Sequence, residues 1–331
     1  MSAATHLLLT GGTGFFGRAL LRFWLAQSDA GKQTPPVTII TRSPSAFISL
    51  YPEFAELPWL RLHCGNISEP KTLPHGESFT HILHAAADST LGPQLTPLQR
   101  YDQIVNGTRN LLDLAVACGA RRFLLTSSGA VYGTQPAQLA QLPEDWHGGP
   151  DPLNPANAYG VAKRAAEHLC ALYGQSCGLQ IVIARCFAFV GPDLPLDVHF
   201  AIGNFIRDAL WRDQIKVSSN GTAVRSYLDQ QDLAHWLLTI LERGQAGQAY
   251  NVGSDQAVSI AELAYMVRDI IAPGKQVCIS NATSANSGRN TYVPSIQKAK
   301  EELGLKVGVG LKDAIQSTAS TVKQRTPSFQ T

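Results

Sequence analysis

The sequence predicts an α/β fold, a doubly wound parallel sheet with a smaller mixed α/β lobe in the C-terminal third. Three observations carry this reading. Short apolar runs alternate with amphipathic helical stretches through the first 190 residues, as strand–helix–strand units require. A glycine-rich turn, Gly11-Gly12-Thr13-Gly14-Phe15-Phe16-Gly17, directly follows the first apolar run and opens the first helix. Beyond Gly191-Pro192 the alternation fades into helices mixed with short strands. The expected division is a main domain over 1–190 with segments near 225–255 returning to it, an interleaved lobe over 191–318, and a Ser/Thr/Gln-rich flexible tail over 319–331.

Each element has its own signal. Leu7 to Leu9 reads as a buried strand, and Phe16, Leu20 and Trp24, with Leu21 and Leu25 beside them, form one face of the helix that follows. Val37 to Thr41 is the second strand, Leu60 to Cys64 the third and His81 to Ala87 the fourth. A helix is expected over about 97–118, from the stripe that includes Leu98, Tyr101, Ile104, Val105, Leu111 and Leu112, with Gly119 as its stop. Arg122 to Thr126 is the fifth strand. A Pro-rich loop over 134–157 leads to a helix over about 156–174, and Leu179 to Arg185 is the next strand. Helices near 200–213, 230–243 and 259–272, with short strands near 215–218, 224–228 and 249–252, complete the chain.

The bulk properties exclude several classes. Hydrophobic residues make up 44% and charged residues 16% of the 331, which is a globular composition. A net charge of +2 gives no footprint for nucleic acid or an anionic membrane. No run approaches the roughly 20 apolar residues of a membrane span, and no basic leader precedes the first apolar run. The six cysteines are scattered without a CxxC pair, so they read as reduced thiols of a cytoplasmic protein, and the histidines lack metal-ligand spacing.

Two stretches carry chemistry. The glycines at 11, 14 and 17 allow a sharp turn, close approach of a pyrophosphate and tight packing of helix on strand, and the helix start at Phe15 and Phe16 offers N–H groups and a positive dipole end. This is a dinucleotide site. An acidic residue commonly ends the second strand of such a site, gripping the ribose 2′-hydroxyl of NAD. Here Thr41 and Arg42 stand there, and a guanidinium suits a 2′-phosphate, which favours NADP over NAD. The alternatives for Arg42 are a solvated surface charge or stacking on adenine. Ala85, Ala86 and Ala87 end the fourth strand with side chains small enough for a flat cofactor to lie against, and close helix packing would need the same residues. The second stretch comprises Ser127-Ser128-Gly129-Ala130-Val131-Tyr132-Gly133 at the end of the fifth strand and Tyr159-Gly160-Val161-Ala162-Lys163 near the next helix start. Tyrosine and lysine four residues apart share a helix face. A free phenol titrates near ~10, and a neighbouring ammonium favours its ionised form. With Ser128 bridging to the substrate oxygen, Tyr159 can take a proton while the nicotinamide takes a hydride.

With these motifs in this order the chain resembles, over nearly its whole length, the extended short-chain dehydrogenase/reductase family of NAD(P)-dependent nucleotide-sugar epimerases and dehydratases. The resemblance rests on GGTGFFG at 11–17, Asn66-Ile67, HAAA at 84–87, SSGAVYG at 127–133 and YGVAK at 159–163, and it continues through Gly191-Pro192, Arg225-Ser226-Tyr227-Leu228 and Tyr250-Asn251-Val252-Gly253. It implies a Rossmann-like sheet, Ser128, Tyr159 and Lys163 as catalytic residues, and adenine contact at Asn66 and Ile67. It also implies that Arg225, and Arg289 before Tyr292, meet a substrate diphosphate, and that two chains pair as a homodimer through the helices at about 97–118 and 156–174.

The departures from the family pattern narrow the reaction. Sugar 4,6-dehydratases of this family place Asp-Glu after the catalytic Ser/Thr, and decarboxylating relatives keep the Glu. Gly129 and Ala130 stand here and cannot transfer protons. Asp88 could be a substitute acid, but binding a substrate hydroxyl or capping its loop is the favoured role. Ala188 replaces a frequent Asn, and Cys186 beside it reads as a packed thiol. The leading expectation is a nucleotide-sugar 4-epimerase working through a 4-keto intermediate. The alternatives are a nucleotide 4-keto-sugar reductase, a dehydratase using Asp88, and a cofactor-binding sensor without turnover, which has no use for the Ser/Tyr/Lys set.

Overall fold

The computed structural model describes residues 5–86, 95–280 and 291–325. Ala87, Asp88 and Arg289 lie outside the described residues. The chain opens with β1 (Leu7–Thr10), α1 (Phe15–Asp29), β2 (Val37–Thr41), α2 (Pro44–Leu50), β3 (Leu60–Cys64), β4 (His81–His84), α3 (Pro97–Ala117), β5 (Arg122–Ser128), α4 (Ala158–Cys177) and β6 (Gln180–Cys186). There follow β7 (Phe189–Val190), α5 (Ala201–Trp211), β8 (Gln214–Val217), β9 (Val224–Arg225), β10 (Leu228–Asp229), α6 (Gln230–Arg243) and β11 (Ala249–Val252). The last elements are β12 (Val258–Ser259), α7 (Ile260–Ile271), β13 (Gln276–Ile279), β14 (Thr291–Tyr292), α8 (Gln297–Leu303) and α9 (Leu311–Arg325).

Seven strands form the central sheet in the order β11-β6-β5-β4-β1-β2-β3. Every neighbouring pair in it is parallel. The order reverses beside β1, between the β1–β2–β3 half and the β4–β5–β6–β11 half, and such a reversal opens a crevice at the carboxyl ends of the strands. The three consecutive leucines of β1 answer to burial on both faces. Leu7 and Leu9 pack with Leu20 and Trp24 of α1 and with α6, while Leu8 packs with Leu111 and Leu112 of α3 and with α4. A second core, built by α5, α7 and α9 with β8, forms the smaller lobe.

Two differences from the sequence reading have plain causes. The chain after Arg42 turns into α2, because Ser43 Oγ accepts the Ala46 N–H at 3.4 Å and Pro44 fits the first helical turn. The stretch from 319, assigned by composition to a flexible tail, is helical as far as Arg325. Ala314, Ile315, Thr318, Ala319 and Val322 form a narrow buried stripe among its polar residues.

Where α1, the loop after β7 and the end of α9 meet, Asp193 gathers three arginines. Its carboxylate accepts from Arg22 Nε at 2.7 Å, Arg325 at 3.1 Å and Gln230 Nε2 at 2.9 Å, with Arg18 Nε at 3.7 Å. Burial acts to raise this carboxyl, but hydrogen bonding and charge from Arg22, then Gln230 and Arg18, outweigh it and hold it below the usual range.

Candidate active site

The glycine turn does three different jobs. Gly11 has φ +70°, and a Cβ there would lie 2.5 Å from the Ala85 carbonyl oxygen, so this backbone presses against the end of β4. At Gly17 a Cβ would stand 2.3 Å from Gly12 Cα, so the helix start packs directly on the turn. Gly14 is exposed, and its missing Cβ would meet only the Gly11 oxygen, at 3.4 Å. It is the N-cap of α1, without a side-chain cap and without an acidic residue in the first turn. The helix start therefore meets no carboxylate or capping oxygen of its own, and its N–H groups could hold a dinucleotide pyrophosphate. Phe15 and Phe16 contribute backbone to it, since their rings pack on Phe189, with Phe16 5.1 Å away in edge contact.

The rim of this cradle is set by buried polar pairs. Thr10 Oγ1 pairs with His84 Nδ1 at 2.8 Å and accepts the Ala86 N–H at 3.2 Å, while His84 Nε2 meets Thr108 Oγ1 at 3.2 Å. These contacts place Ala85 and Ala86 beside the glycine turn. Burial, and then the charge of Lys163, push the imidazole of His84 down to about 3, so it stays neutral. At the end of β2, Thr41 is buried and Arg42 is exposed, its carbonyl accepting from Cys64 Sγ at 3.7 Å. Asn66 turns its side chain back on its own loop, donating to Glu69 at 2.9 Å and accepting from Ser68 N–H at 3.1 Å. Ile67 packs into the core against Gly107 of α3, where a Cβ would come within 2.8 Å of its Cδ1.

The candidate catalytic residues converge at the carboxyl end of β5. Ser128 ends the strand, and its Oγ accepts the Ala130 N–H at 3.1 Å, capping a short 3-10 turn over Gly129–Tyr132. The hydroxyl hydrogen then remains available to a substrate oxygen. Tyr159 and Lys163 lie on α4, with Lys163 Nζ 6.0 Å from the centre of the Tyr159 ring. Gly160 lets the first turn of α4 press on the Ser128 turn, because a Cβ there would lie 2.8 Å from the Ala130 oxygen. Lys163 Nζ donates to the Thr126 carbonyl at 2.7 Å. Burial pushes its pKa down to about 8, opposed by Cys186 and Glu167. It is therefore still mainly an ammonium at neutral pH.

Behind the set runs a polar chain. Ser127 Oγ donates to Glu167 at 2.5 Å, and Glu167 takes a bidentate pair from Arg185, at 3.1 and 2.8 Å. Arg185 also donates to the Tyr132 hydroxyl at 3.0 Å, and that hydroxyl donates to Asn251 Oδ1 at 2.8 Å. Burial pushes the Tyr132 phenol up, so it is a structural hydroxyl. Glu167 lies one helical turn beyond Lys163, so this chain fixes the α4 face that carries Tyr159 and Lys163.

Several residues not singled out as site residues also converge here. Gly129 is covered by aromatic side chains: a Cβ on it would lie 2.5 Å from the Tyr292 hydroxyl and 2.8 Å from the Phe187 ring. The two rings stack on each other at 4.6 Å. Tyr292 pairs in register with Arg225, whose guanidinium lies 6.0 Å from the Tyr292 ring centre, so Arg225 joins the same wall. Arg100, near the start of α3, stands with its guanidinium carbon 4.4 Å from the centre of the Tyr159 ring. A sequence offers no local signal for such contacts. Asp88, Ala87 and Arg289 fall outside the described residues. Among the described residues no cluster of side chains could hold a metal ion.

A family profile described as "NAD dependent epimerase/dehydratase family" matches residues 7–253, spanning the glycine turn, Ser128, Tyr159, Lys163 and Arg225. The chain belongs to that family. Its relatives include UDP-glucuronic acid decarboxylase 6 of Arabidopsis thaliana, 30% identical over 311 residues, 94% of this chain and 86% of that protein. UDP-glucuronic acid decarboxylase 1 of Xenopus tropicalis is 32% identical over 212 residues, 64% of this chain and 49% of the relative. Among solved structures, dTDP-glucose 4,6-dehydratase from Bacillus anthracis in complex with NAD has a TM-score of 0.82 at 20% identity, covering 97% of both chains. UDP-glucose 4-epimerase from Thermotoga maritima with UDP-glucose also scores 0.82 at 20% identity, covering 97% of this chain and 99% of its own. At that identity the likeness is one of fold. RMD from Pseudomonas aeruginosa, complexed with NADPH, scores 0.77 at 25% identity over 97% of this chain and 100% of that one. In this family member the Rossmann-like sheet and the glycine cradle are thus those of an NAD-dependent epimerase/dehydratase-type enzyme.

Proposed function

We propose that the protein is a nucleotide-sugar 4-epimerase. The observation that carries this reading is the turn that follows Ser128. Gly129 and Ala130 bring no carboxylate, and the space a side chain at 129 would need is taken by Tyr292 and Phe187. Dehydration needs an acid for the leaving hydroxyl and a base for a carbon-bound proton. Epimerisation at C4 needs only one proton acceptor that later returns the proton. It also needs room for the keto sugar to turn, and it needs no carboxylate at 129 or 130.

When bound, the dinucleotide supplies the hydride acceptor and donor. Gly11 and Gly17 shape the turn so that Gly14 and the α1 amides of Phe15 and Phe16 would bind its pyrophosphate, Ala85 and Ala86 would form its flat wall, and Lys163 would hold its ribose. Tyr159 takes the proton from the C4 hydroxyl as that carbon becomes a carbonyl, and Ser128 donates a hydrogen bond to the same oxygen. Tyr159 returns the proton once the sugar has presented its other face. Arg225 binds the substrate diphosphate. Asp88 and Arg289 keep the substrate-binding roles that the sequence suggests. The chain pairs as a homodimer through α3 and α4, whose Leu98, Val116 and Leu172 are exposed.

The test is product analysis by NMR after incubation with UDP-hexoses and with UDP-glucuronic acid, a substrate class taken from the relatives' names. The expected product is the 4-epimer, without loss of water or carbon dioxide and without added cofactor being consumed. Release of carbon dioxide, or a 4-keto-6-deoxy sugar, would overturn the reading. Stoichiometric consumption of NADPH with a keto sugar would replace it by a 4-keto-sugar reductase.

NADP is the proposed cofactor, on the strength of Arg42. Arg42→Ala is expected to weaken NADP binding about 10- to 100-fold, the loss of a charge-assisted hydrogen bond, and to leave NAD binding nearly unchanged. Titration calorimetry with both nucleotides measures this, and equal losses would mean that Arg42 does not read the 2′-phosphate.

A further inference from the structure

We propose that Arg100 is an electrostatic positioning residue for Tyr159, its guanidinium lying on the phenol ring and stabilising the phenolate together with Lys163. The inference rests on the acid–base reading of Tyr159 and adds a second cation to it. Arg100 lies on α3 and Tyr159 in the first turn of α4, two helices that pack side by side. The guanidinium carbon is 4.4 Å from the ring centre, nearer than Lys163 Nζ at 6.0 Å. A cation on the face of an aromatic ring is attracted by its quadrupole, and a ring that gains negative charge attracts it more. Contact with the ring also restrains the angle at which the hydroxyl meets the substrate.

The placement of Arg100 runs against local preference. It lies just inside the start of α3, after the Thr96–Gln99 capping box, where the helix dipole disfavours a positive charge. A residue set against its local field marks a site where another demand prevails. The surroundings leave that charge effective. Glu167 on α4 is paired with Arg185, and its charge also supports the ammonium of Lys163 against burial. His84 at the end of β4 is held neutral by burial, and the thiols of Cys170 on α4 and Cys186 on β6 are pushed up by burial, Cys186 to about 12. His199, before α5, is lowered by burial and then by Arg100 itself. Among the described residues, Lys163 and Arg100 are cations that lie against the phenol ring, and a guanidinium keeps its charge throughout the working range.

The test compares wild type, Arg100→Met and Arg100→Lys, each with and without Tyr159→Phe, as cofactor-loaded protein. Tyrosinate absorbance is titrated against pH, and the difference between each protein and its Tyr159→Phe partner isolates Tyr159. Arg100→Met is expected to raise the midpoint by about one pH unit, as loss of a nearby cation does. The acidic limb of kcat should move by the same amount, and Arg100→Lys should recover most of the shift. Thermal unfolding confirms that each variant is folded, and the lysine variant keeps the test valid if the methionine variant is not. An unchanged midpoint in a folded Arg100 variant, or a rise in KM with an unchanged pH profile, would overturn the proposal. The absorbance titration needs no substrate, so it separates this outcome from failure of the epimerase reading.

Discussion

Tyr159→Phe is expected to lower kcat about 10³-fold, within the range that loss of a positioned acid–base group costs, while leaving the unfolding midpoint and cofactor binding close to wild type. The ring is retained, so its packing beside α3 and its contact with Arg100 survive, and only the proton carrier is lost. Steady-state kinetics with a UDP-hexose beside a thermal melt checks both halves. A variant that kept most of its turnover would remove Tyr159 from the chemistry. The wild-type pH profile carries a related expectation. Lys163 is lowered to about 8, mainly by burial, so its ammonium is present below that pH and is lost above it. Support for the phenolate and for the cofactor ribose therefore fades as pH rises through about 8, and kcat/KM should fall on that side.

Asp193→Ala is expected to cost about 3 kcal/mol of stability, because it removes the buried acceptor that Arg22, Arg325 and Gln230 share and leaves Arg22 with only the more exposed Glu53 as an ion partner among the described residues. Arg18, in the first turn of α1, also donates to the Asp193 carbonyl at 2.5 Å, so loosening this loop should weaken dinucleotide binding at the proposed cradle too. The sign of the pH dependence follows from the carboxyl being held below its usual range. A carboxyl lowered by folding contributes stability that is fully present above its unfolded value, near ~3.9, and is lost as pH falls through the lower, folded value. Denaturant unfolding at neutral pH and at pH values below that range should therefore bring wild type and Asp193→Ala closer together in acid. A constant gap across the range would mean that the ionised carboxylate is not what the arginines need.

Much of the frame is written in short-range pattern. The Leu7 to Leu9 run, the glycine turn and the amphipathic α1 follow one another directly, and each depends on neighbours within a few residues. The Tyr159–Lys163 pair is a matter of helix period, so its shared face was legible without coordinates. The composition from 319 onward predicts a flexible tail where α9 runs to Arg325, because the apolar stripe of that helix is narrow and is outnumbered by polar residues. The helix α2 announced itself only by Ser43-Pro44, a cap followed by a first-turn proline, in a segment too short for periodicity to register.

From the sequence alone came the parallel doubly wound sheet, and with it the glycine turn and the Tyr159–Lys163 spacing on which the proposed site rests, because each is encoded by residues close together in the chain or by a repeating period. Tertiary structure alone decided that Tyr292 and Phe187 close over Gly129, that Arg100 lies on Tyr159, and that Asp193 collects Arg22 and Arg325. Those contacts join segments far apart in sequence. They form only after helices and strands have packed, when distance in space is no longer governed by distance along the chain.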